Sequence, residues 1–170
     1  MLINEVSGHV VDAAIKVHSA LGPGLLENVY EACLVHELNT RGLRTASQLP
    51  LPVNYRDVRI DLGFRVDILV ENLVVVEIKA VDALTPVHQA QLLTFLKLSG
   101  KNVGLLMNFN VVHLRDGIRR MVHGQPPSLT SVSSALNPAS SVSSASSLVN
   151  PVSSASSASS VVKLPASNVG

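Results

Sequence analysis

The first forty residues carry apolar side chains at helical spacing. Over residues 3–21 an apolar residue recurs every three or four positions, which predicts an amphipathic helix packed against a core. The Gly-Pro-Gly segment 22–24 must end that helix. A second helix is predicted over about residues 25–41, with Gly42 as its carboxyl-terminal stop.

After residue 43 the pattern changes to the alternation of apolar and polar residues that is typical of strands. β-branched side chains become frequent, and turn-forming residues divide the segment. We predict four strands, near residues 51–55, 58–62, 64–70 and 73–79. Pro50 and Pro52 lack the backbone N–H that an inner strand needs, so they suit an edge strand or a segment that enters the sheet.

The rest of the pattern continues the alternation of helices and strands. Thr85 and Pro86 are residue types preferred at the N-cap and at the first position of a helix, which is predicted to stop at Gly100. Two strands and a turn are predicted next, at residues 102–109, 111–115 and 116–117. The predicted fold class is α/β, with a mixed sheet flanked by helices.

Composition divides the chain near residue 124. Residues 1–123 hold twelve basic and twelve acidic residues, so this segment is formally neutral, and it is long enough to bury one core. Residues 124–170 hold one charged residue, Lys163, and repeat a Ser/Ala-rich unit of 13 residues at 137–149 and 150–162. Such sequence lacks large apolar groups to bury. We therefore expect one folded domain, residues 1–123, followed by a low-complexity disordered tail, residues 124–170.

Charge and cysteine content narrow the class of protein. The net charge of +1 gives no overall basic surface for nucleic acid, which leaves a local cluster of Arg115, Arg119 and Arg120. The single cysteine, Cys33, cannot form an intramolecular disulfide, which fits a reducing compartment. No stretch approaches the roughly 20 apolar residues of a membrane span. A cytoplasmic protein without a membrane anchor is expected.

Residues 74–80, Val-Val-Val-Glu-Ile-Lys-Ala, place charges in a segment that is otherwise typical of a buried strand. Glu77 and Lys79 are two residues apart and therefore share a face. The register that keeps the apolar faces of two neighbouring strands in one core pairs Val66 with Ile78, Ile68 with Val76 and Val70 with Val74. The same register puts Asp67 opposite Glu77 and leaves residues 71–73 as the loop.

The facing carboxylates of Asp67 and Glu77 would repel each other unless a positive charge lies between them. A divalent cation such as Mg²⁺ meets this need, because it takes one or two protein carboxylates and keeps several waters. Lys79, next along the strand, would orient or activate an attacking water, or stabilise charge on a phosphate. The alternative is an exposed face on which Asp67, Glu77, Arg65 and Lys79 form surface salt bridges.

The order of elements, taken with these residues, resembles the PD-(D/E)XK nuclease superfamily. In that superfamily an Asp lies on the second strand and Glu-x-Lys on the third strand of a helix, three-stranded meander, helix, strand arrangement. Gly24, Glu27 and Tyr30, in the segment Gly-Pro-Gly-Leu-Leu-Glu-Asn-Val-Tyr, match the signature of one bacterial branch, the GxxExxY proteins. The resemblance covers about residues 3–123 and implies a restriction-endonuclease-like αβββαβ core.

The resemblance implies a role for each matching residue at the centre of the site. Asp67 and Glu77 match the metal-binding acids of the superfamily, and Lys79 matches its lysine. The backbone carbonyl of Ile78 would be a further metal ligand. Glu27 matches the first-helix acid that often completes such a site, with a first-turn acid that complements the helix dipole as the alternative.

One further residue, Gln91, matches a glutamine on the third helix of RecB-like members. Those proteins usually have an aromatic hydroxyl four residues later, and here Phe95 occupies that position without a hydroxyl. The resemblance thus implies that Gln91 positions substrate or water, whereas the hydroxyl contact has no counterpart in this chain.

The function implied by the resemblance is a Mg²⁺- or Mn²⁺-dependent nuclease that hydrolyses phosphodiester bonds of DNA or RNA. The alternative is a non-catalytic module of the same fold that binds nucleic acid or a protein partner. The complete Asp, Glu and Lys set favours the enzyme. The neutral charge and the total of five Phe and Tyr residues favour the module.

Overall fold

The structure, a computed structural model, describes residues 1–124, apart from the side chains of residues 62 and 63. The predicted tail lies outside the described residues except for its first residue, so its disorder and the domain boundary remain predictions. Within residues 1–124 no helix has the length and apolar character that crossing a membrane requires.

Four helices and five strands follow one another in the described part of the chain. They are α1 (Ile3–Leu21), α2 (Glu27–Thr40), β1 (Thr45–Tyr55), β2 (Val58–Val70), β3 (Val74–Lys79), α3 (Pro86–Ser99), β4 (Val103–Asn108), α4 (Leu114–Gly117) and β5 (Ile118–Val122). The bounds of α1 are those predicted, and α2 begins two residues later and ends one residue earlier than predicted. Helix α3 follows Thr85 and ends at Gly100, whose φ of 66° is in the left-handed region that glycine adopts readily.

The strands form one sheet in the order β1-β2-β3-β4-β5. Strands β3 and β4 are parallel, with α3 as the connection between them, and the other neighbouring pairs are antiparallel. This arrangement confirms the predicted α/β fold with a mixed sheet flanked by helices. Strand β1, which contains Pro50 and Pro52, lies at an edge as expected.

Three strand predictions differ from the structure. Strand β1 begins at Thr45, six residues before the predicted start at residue 51. Residues 58–62 and 64–70 form the single strand β2, because the sheet absorbs the irregularity as a register shift between Leu51 and Val53 of β1 rather than as a break. Residues 111–115 do not form a strand. They belong to the reversal that joins β4 to antiparallel β5, and the short helix α4 within that reversal buries Leu114 in the core.

The sheet buries side chains on both faces. Ile68 and Val76 belong to a core formed with α1 and α2, whereas Val75 and Leu106 belong to a core formed with α3, where Phe95 is also buried. Strand β3 is therefore covered on both sides, which explains its nearly continuous apolar sequence.

The reversal between β4 and β5 depends on a glycine. A Cβ added to Gly117 would clash with the backbone carbonyl oxygen of Asn108, at the end of β4. We expect Gly117→Ala to lower the free energy of unfolding by about 1–3 kcal/mol, because backbone atoms would have to move. Gly8→Ala is the matched control. Its Cβ meets nothing within 4 Å in the middle of α1, so it should raise stability by about 0.5–1 kcal/mol. Denaturant unfolding of both variants measures the difference, and equal effects would contradict this account of the reversal.

Candidate active site

The β2–β3 hairpin has the predicted turn and most of the predicted register. Ile68 pairs with Val76 and Val70 with Val74, and residues 71–73 form the turn. The ladder ends at Ile68, so the predicted pair of Val66 with Ile78 is not formed. Val66 lies in the α3 core and not with Ile68, which corrects the prediction that the two residues share a face. At Asp67, strand β2 therefore changes the face of the sheet on which its apolar side chains are buried.

Asp67 takes the place of the missing backbone pair. Its Oδ2 accepts a hydrogen bond from the backbone N–H of Ile78 at 2.8 Å. The carboxyl group is half-buried, so the bond is shielded from water on part of its surface. The aspartate therefore joins the two strands where their ladder stops, and its carboxyl group lies beside the end of β3.

Glu77 and Lys79 form a charged pair on the last residues of β3. Lys79 Nζ donates to Glu77 Oε1 at 2.7 Å. Glu77 is 1% exposed, and its other oxygen, Oε2, has no hydrogen-bond partner among the described residues. Glu77 is level with Leu106 of β4, which places it on the α3 face of the sheet. A buried carboxylate oxygen without a donor is rare and indicates a function that the fold alone does not explain.

Asp67, Glu77 and Lys79 form a cluster of charged side chains that shift one another's pKa values. Burial raises the pKa of Glu77 to about 7, with a further increase from the charge of Asp67 that the hydrogen bond from Lys79 only partly offsets. Burial also raises the pKa of Asp67, against the lowering effects of the Ile78 N–H and of Lys79. Burial by itself would lower the pKa of Lys79, but the hydrogen bond and charge of Glu77 raise it above its ordinary value. Lys79 is therefore a persistent cation beside two strained carboxyl groups.

Glu27 reaches the same end of β3 from the first turn of α2. Its Oε1 accepts a hydrogen bond from the backbone N–H of Ala80 at 3.1 Å, one residue beyond Lys79. The side chain is otherwise exposed, and its charge contributes to the raised pKa of Glu77. Glu27 is thus held at the rim of the cluster, on its solvent side.

Tyr30 fixes the loop that leads to Glu27. The ring is fully buried and stacks on Phe109 with centroids 4.4 Å apart. Its hydroxyl donates to the carbonyl of Gly22 at 2.7 Å and accepts from the N–H of Leu25 at 3.1 Å. Between these two residues Gly24 has a φ of 98°, which an L side chain would rarely adopt. Gly24 and Tyr30 therefore shape the loop that enters α2, and Tyr30 has a structural position.

The other predicted residues have different positions. The backbone N–H of Ile78 is bound to Asp67, and the N–H and C=O of one strand residue point to the same side, so its carbonyl also faces β2. Gln91 lies half-buried on α3, next to Leu92 of the α3 core. Within residues 1–124 no hydrogen bond joins Gln91 to the acids or to Lys79.

Three residues that support the site were missed in the sequence. Asn108, buried at the end of β4, exchanges two hydrogen bonds with the backbone of Val81: Oδ1 accepts at 3.1 Å and Nδ2 donates at 2.8 Å. Gln48 Nε2 donates to Glu31 Oε2 at 2.7 Å, and the Gln48 amide lowers the pKa of Asp67, which burial raises by more. Asn108 could have been found as a polar residue that ends an apolar strand, and Glu31 as an acid four residues after Glu27. No feature of the sequence indicated Gln48.

The donor set fits a divalent cation in chemistry. Carboxylate and carbonyl oxygens are the ligands that Mg²⁺ and Mn²⁺ prefer, and Mg²⁺ typically uses one or two carboxylates with waters and substrate phosphates. The unpartnered Glu77 Oε2 is an acceptor of this kind beside the carboxyl group of Asp67. Within residues 1–124 no group of three or more His, Cys, Asp or Glu side chains is arranged to hold a metal ion. The fit is thus to a cation held by few protein ligands.

Comparison with known proteins agrees with the geometry. A family model described as the PD-(D/E)XK nuclease superfamily matches residues 4–121, which is most of the chain and includes every residue of the cluster. No curated protein and no solved structure matches it. The matching model does not separate the GxxExxY branch from the rest, so that assignment stays a prediction. The chain belongs to the PD-(D/E)XK nuclease superfamily.

Proposed function

We propose that this protein is a metal-dependent nuclease that hydrolyses phosphodiester bonds of DNA or RNA. The observation that carries the proposal is the buried, unpartnered oxygen of Glu77 next to Asp67, with the ammonium of Lys79 on the other Glu77 oxygen. Nucleases of this superfamily generally use divalent metals. An exposed salt-bridge face, the alternative interpretation of these residues, does not bury a carboxylate oxygen without a donor.

The residues of the cluster divide into metal ligands and groups that act on substrate. Asp67, Glu77 and the carbonyl of Ile78 would hold Mg²⁺ or Mn²⁺, with Glu27 at the rim as a further ligand, direct or through water. The ion supplies Lewis acidity at a phosphoryl oxygen and neutralises charge that develops there. A cation would also remove the repulsion between the two carboxylates, because it favours the ionised form of both.

Lys79 acts as a fixed positive charge. Because Glu77 keeps the pKa of Lys79 above its ordinary value, the ammonium remains protonated at neutral pH. A protonated lysine cannot accept a proton from water, so in this state Lys79 acts through its positive charge rather than as a general base. It would donate hydrogen bonds to a phosphoryl oxygen or to the attacking water, and would stabilise negative charge in the transition state.

Gln91 would contact substrate from α3. Its amide has both a donor and an acceptor, which suits a phosphate oxygen or an ordered water. A polynucleotide backbone would have to pass between the amino-terminal half of α3 and the end of β3 to bring a phosphate within reach of both Gln91 and Lys79. The proposed partner is nucleic acid, and the proposed location is the cytoplasm. Within the superfamily, the proposed branch is that of the GxxExxY proteins.

The test is cleavage of labelled single- and double-stranded DNA and RNA with Mg²⁺ or Mn²⁺, and with EDTA as the metal-free condition. We expect cleavage of at least one polymer that EDTA abolishes. Asp67→Asn should reduce the rate about 100-fold or more, since loss even of an outer group around a metal costs about 10–100-fold. Asp12→Asn, at an exposed position on α1, is the matched control and should cleave at the wild-type rate. Binding of a polymer without cleavage, unaffected by Asp67→Asn, would instead support the non-catalytic module.

A further inference from the structure

Gln48 has a backbone conformation that residues of a regular strand do not adopt. Its φ of 52° lies in the left-handed region, in the middle of a strand. Glycine, asparagine and aspartate adopt this region with the least difficulty, whereas glutamine rarely does. The side chain is exposed, so burial in a core does not account for the conformation. Strain of this kind persists only where other contacts impose it, and it occurs often at functional sites.

The strained residue lies beside the point where β2 changes its exposure. Ser47 pairs with Ile68 and Leu49 pairs with Val66, so Gln48 is level with Asp67. Ile68 belongs to the core under α1 and α2, whereas Val66, two residues away, belongs to the core under α3. Residues two apart in a regular strand share a face. The two neighbouring strands are thus distorted together at Gln48 and Asp67.

The side chain of Gln48 joins α2 to the cluster. Its Nε2 donates to Glu31 Oε2 at 2.7 Å, and the same side-chain amide lowers the pKa of Asp67, against the larger effect of burial, which raises it. Asp67 in turn accepts from the backbone N–H of Ile78. Gln48 therefore links α2, one turn after Glu27, to the position in β1 that is level with Asp67, and Asp67 is bonded to the end of β3.

We infer that Gln48 is a positioning residue. Its left-handed backbone conformation directs the side-chain amide towards Asp67, and the hydrogen bond to Glu31 holds the amide there, so that the direction of the Asp67 carboxyl group is fixed. This inference rests on the proposed function for its purpose, which is to hold one metal ligand in place before the cation binds. Groups around a metal site orient the ligands in this way and affect affinity without touching the ion.

The variant Gln48→Gly separates a positioning role from a structural one. Glycine adopts the left-handed region freely, so removal of the side chain should relieve strain and leave the denaturation midpoint unchanged or higher. The hydrogen bond from Ile78 to Asp67 should weaken, and amide exchange at Ile78 should accelerate about 10-fold, whereas the amide of Val75 keeps its rate. The affinity for Mn²⁺ should fall about 10-fold or more.

Two further variants complete the test. Gln48→Asn tolerates the same backbone but is one methylene shorter, so it should accelerate Ile78 exchange as the glycine variant does. Ser47→Gly is the control, because Ser47 is exposed on the same strand and makes none of these bonds, and it should leave Ile78 exchange unchanged. Unchanged Ile78 exchange in both Gln48 variants would overturn the inference, as would faster exchange at Ile78 and Val75 alike with a lower midpoint. Amide exchange requires neither metal nor substrate, so a response at Ile78 with no Mn²⁺ binding by the wild type would overturn the proposed function and leave the positioning role of Gln48 supported.

Discussion

Replacing Glu77 with glutamine is expected to abolish metal-dependent cleavage and, without metal, to stabilise the fold at pH 8. The amide keeps the shape of the side chain and removes a charge that is buried beside Asp67. Loss of a direct ligand should reduce cleavage by about 100-fold or more, the upper end of what loss of an outer group costs. Relief of burial and repulsion should raise the free energy of unfolding, because residue 77 then carries no charge that folding has to desolvate.

The gain in stability should depend on pH in a defined direction. The pKa of Glu77 is about 7 in the folded protein against an ordinary value of 4.5, so folding takes up a proton between these values. The wild type therefore loses stability as pH rises from about 4.5 through about 7, by roughly 3 kcal/mol at most. Glu77→Gln should lack this loss, and denaturant unfolding in EDTA at pH 5 and pH 8 measures it.

Glu37→Gln provides a control of opposite sign. Lys16 and Arg41 bond to Glu37 and lower its pKa, so its ionised form favours folding at pH 8 and that contribution disappears as pH falls. This variant should be no more stable than the wild type at either pH. If Glu77→Gln were destabilising at pH 8 without metal, Glu77 would belong to a net favourable salt bridge. The claim that its buried charge destabilises the fold would then be wrong.

Replacing Lys79 with methionine is expected to have the second-largest effect. Methionine keeps much of the aliphatic side chain but leaves Glu77 Oε1 without the donor that now lies 2.7 Å away. Breaking a buried pair by removal of one partner can cost about 3–5 kcal/mol. Because Glu77 can take up a proton instead, we expect a loss nearer about 2 kcal/mol at pH 8 and a smaller loss at pH 5. Cleavage should fall about 100-fold or more, since the positive charge at the phosphate is lost.

The double variant Lys79→Met, Glu77→Gln tests whether the two effects share one origin. If methionine destabilises the fold by leaving the Glu77 charge unpaired, the second substitution should recover most of the lost stability at pH 8. Lys97→Met, on the exposed side of α3, is the matched control and should change stability little. Equal losses at pH 5 and pH 8 in Lys79→Met would contradict an origin in the charge of Glu77.

The sequence predicted those parts of the site that depend on local pattern. The alternation of Val74, Val76 and Ile78 with Glu77 and Lys79, together with the register of a three-residue turn, was sufficient to bring the acids and the lysine to one region. Periodicity likewise predicted α1, and the residue types at the two ends of α3 predicted that helix.

Long-range contacts decided what the sequence did not predict. Nothing in its residue type predicts a left-handed conformation for Gln48, and alternation does not predict the change of face at Asp67, which is level with Gln48. The β-branched residues 111–112 suggested a strand. The chain instead reverses direction there before β5 and buries Leu114, and neither could be predicted from residue type. Asn108 acquires its role only when the fold brings Val81 to it, 27 residues away.

The central claim is that Asp67 and Glu77 hold a divalent cation, and calorimetric titration of Mn²⁺ into the wild type tests it most directly. The titration is run with and without an oligonucleotide, because substrate phosphates complete many sites that have few protein ligands. Glu77→Gln is titrated under the same conditions. The account predicts saturable binding by the wild type below ~10 mM Mn²⁺, a generous limit for weak sites with affinities of about 0.1–1 mM, and none by the variant. No binding by the wild type with oligonucleotide present, or equal binding by both proteins, would contradict it.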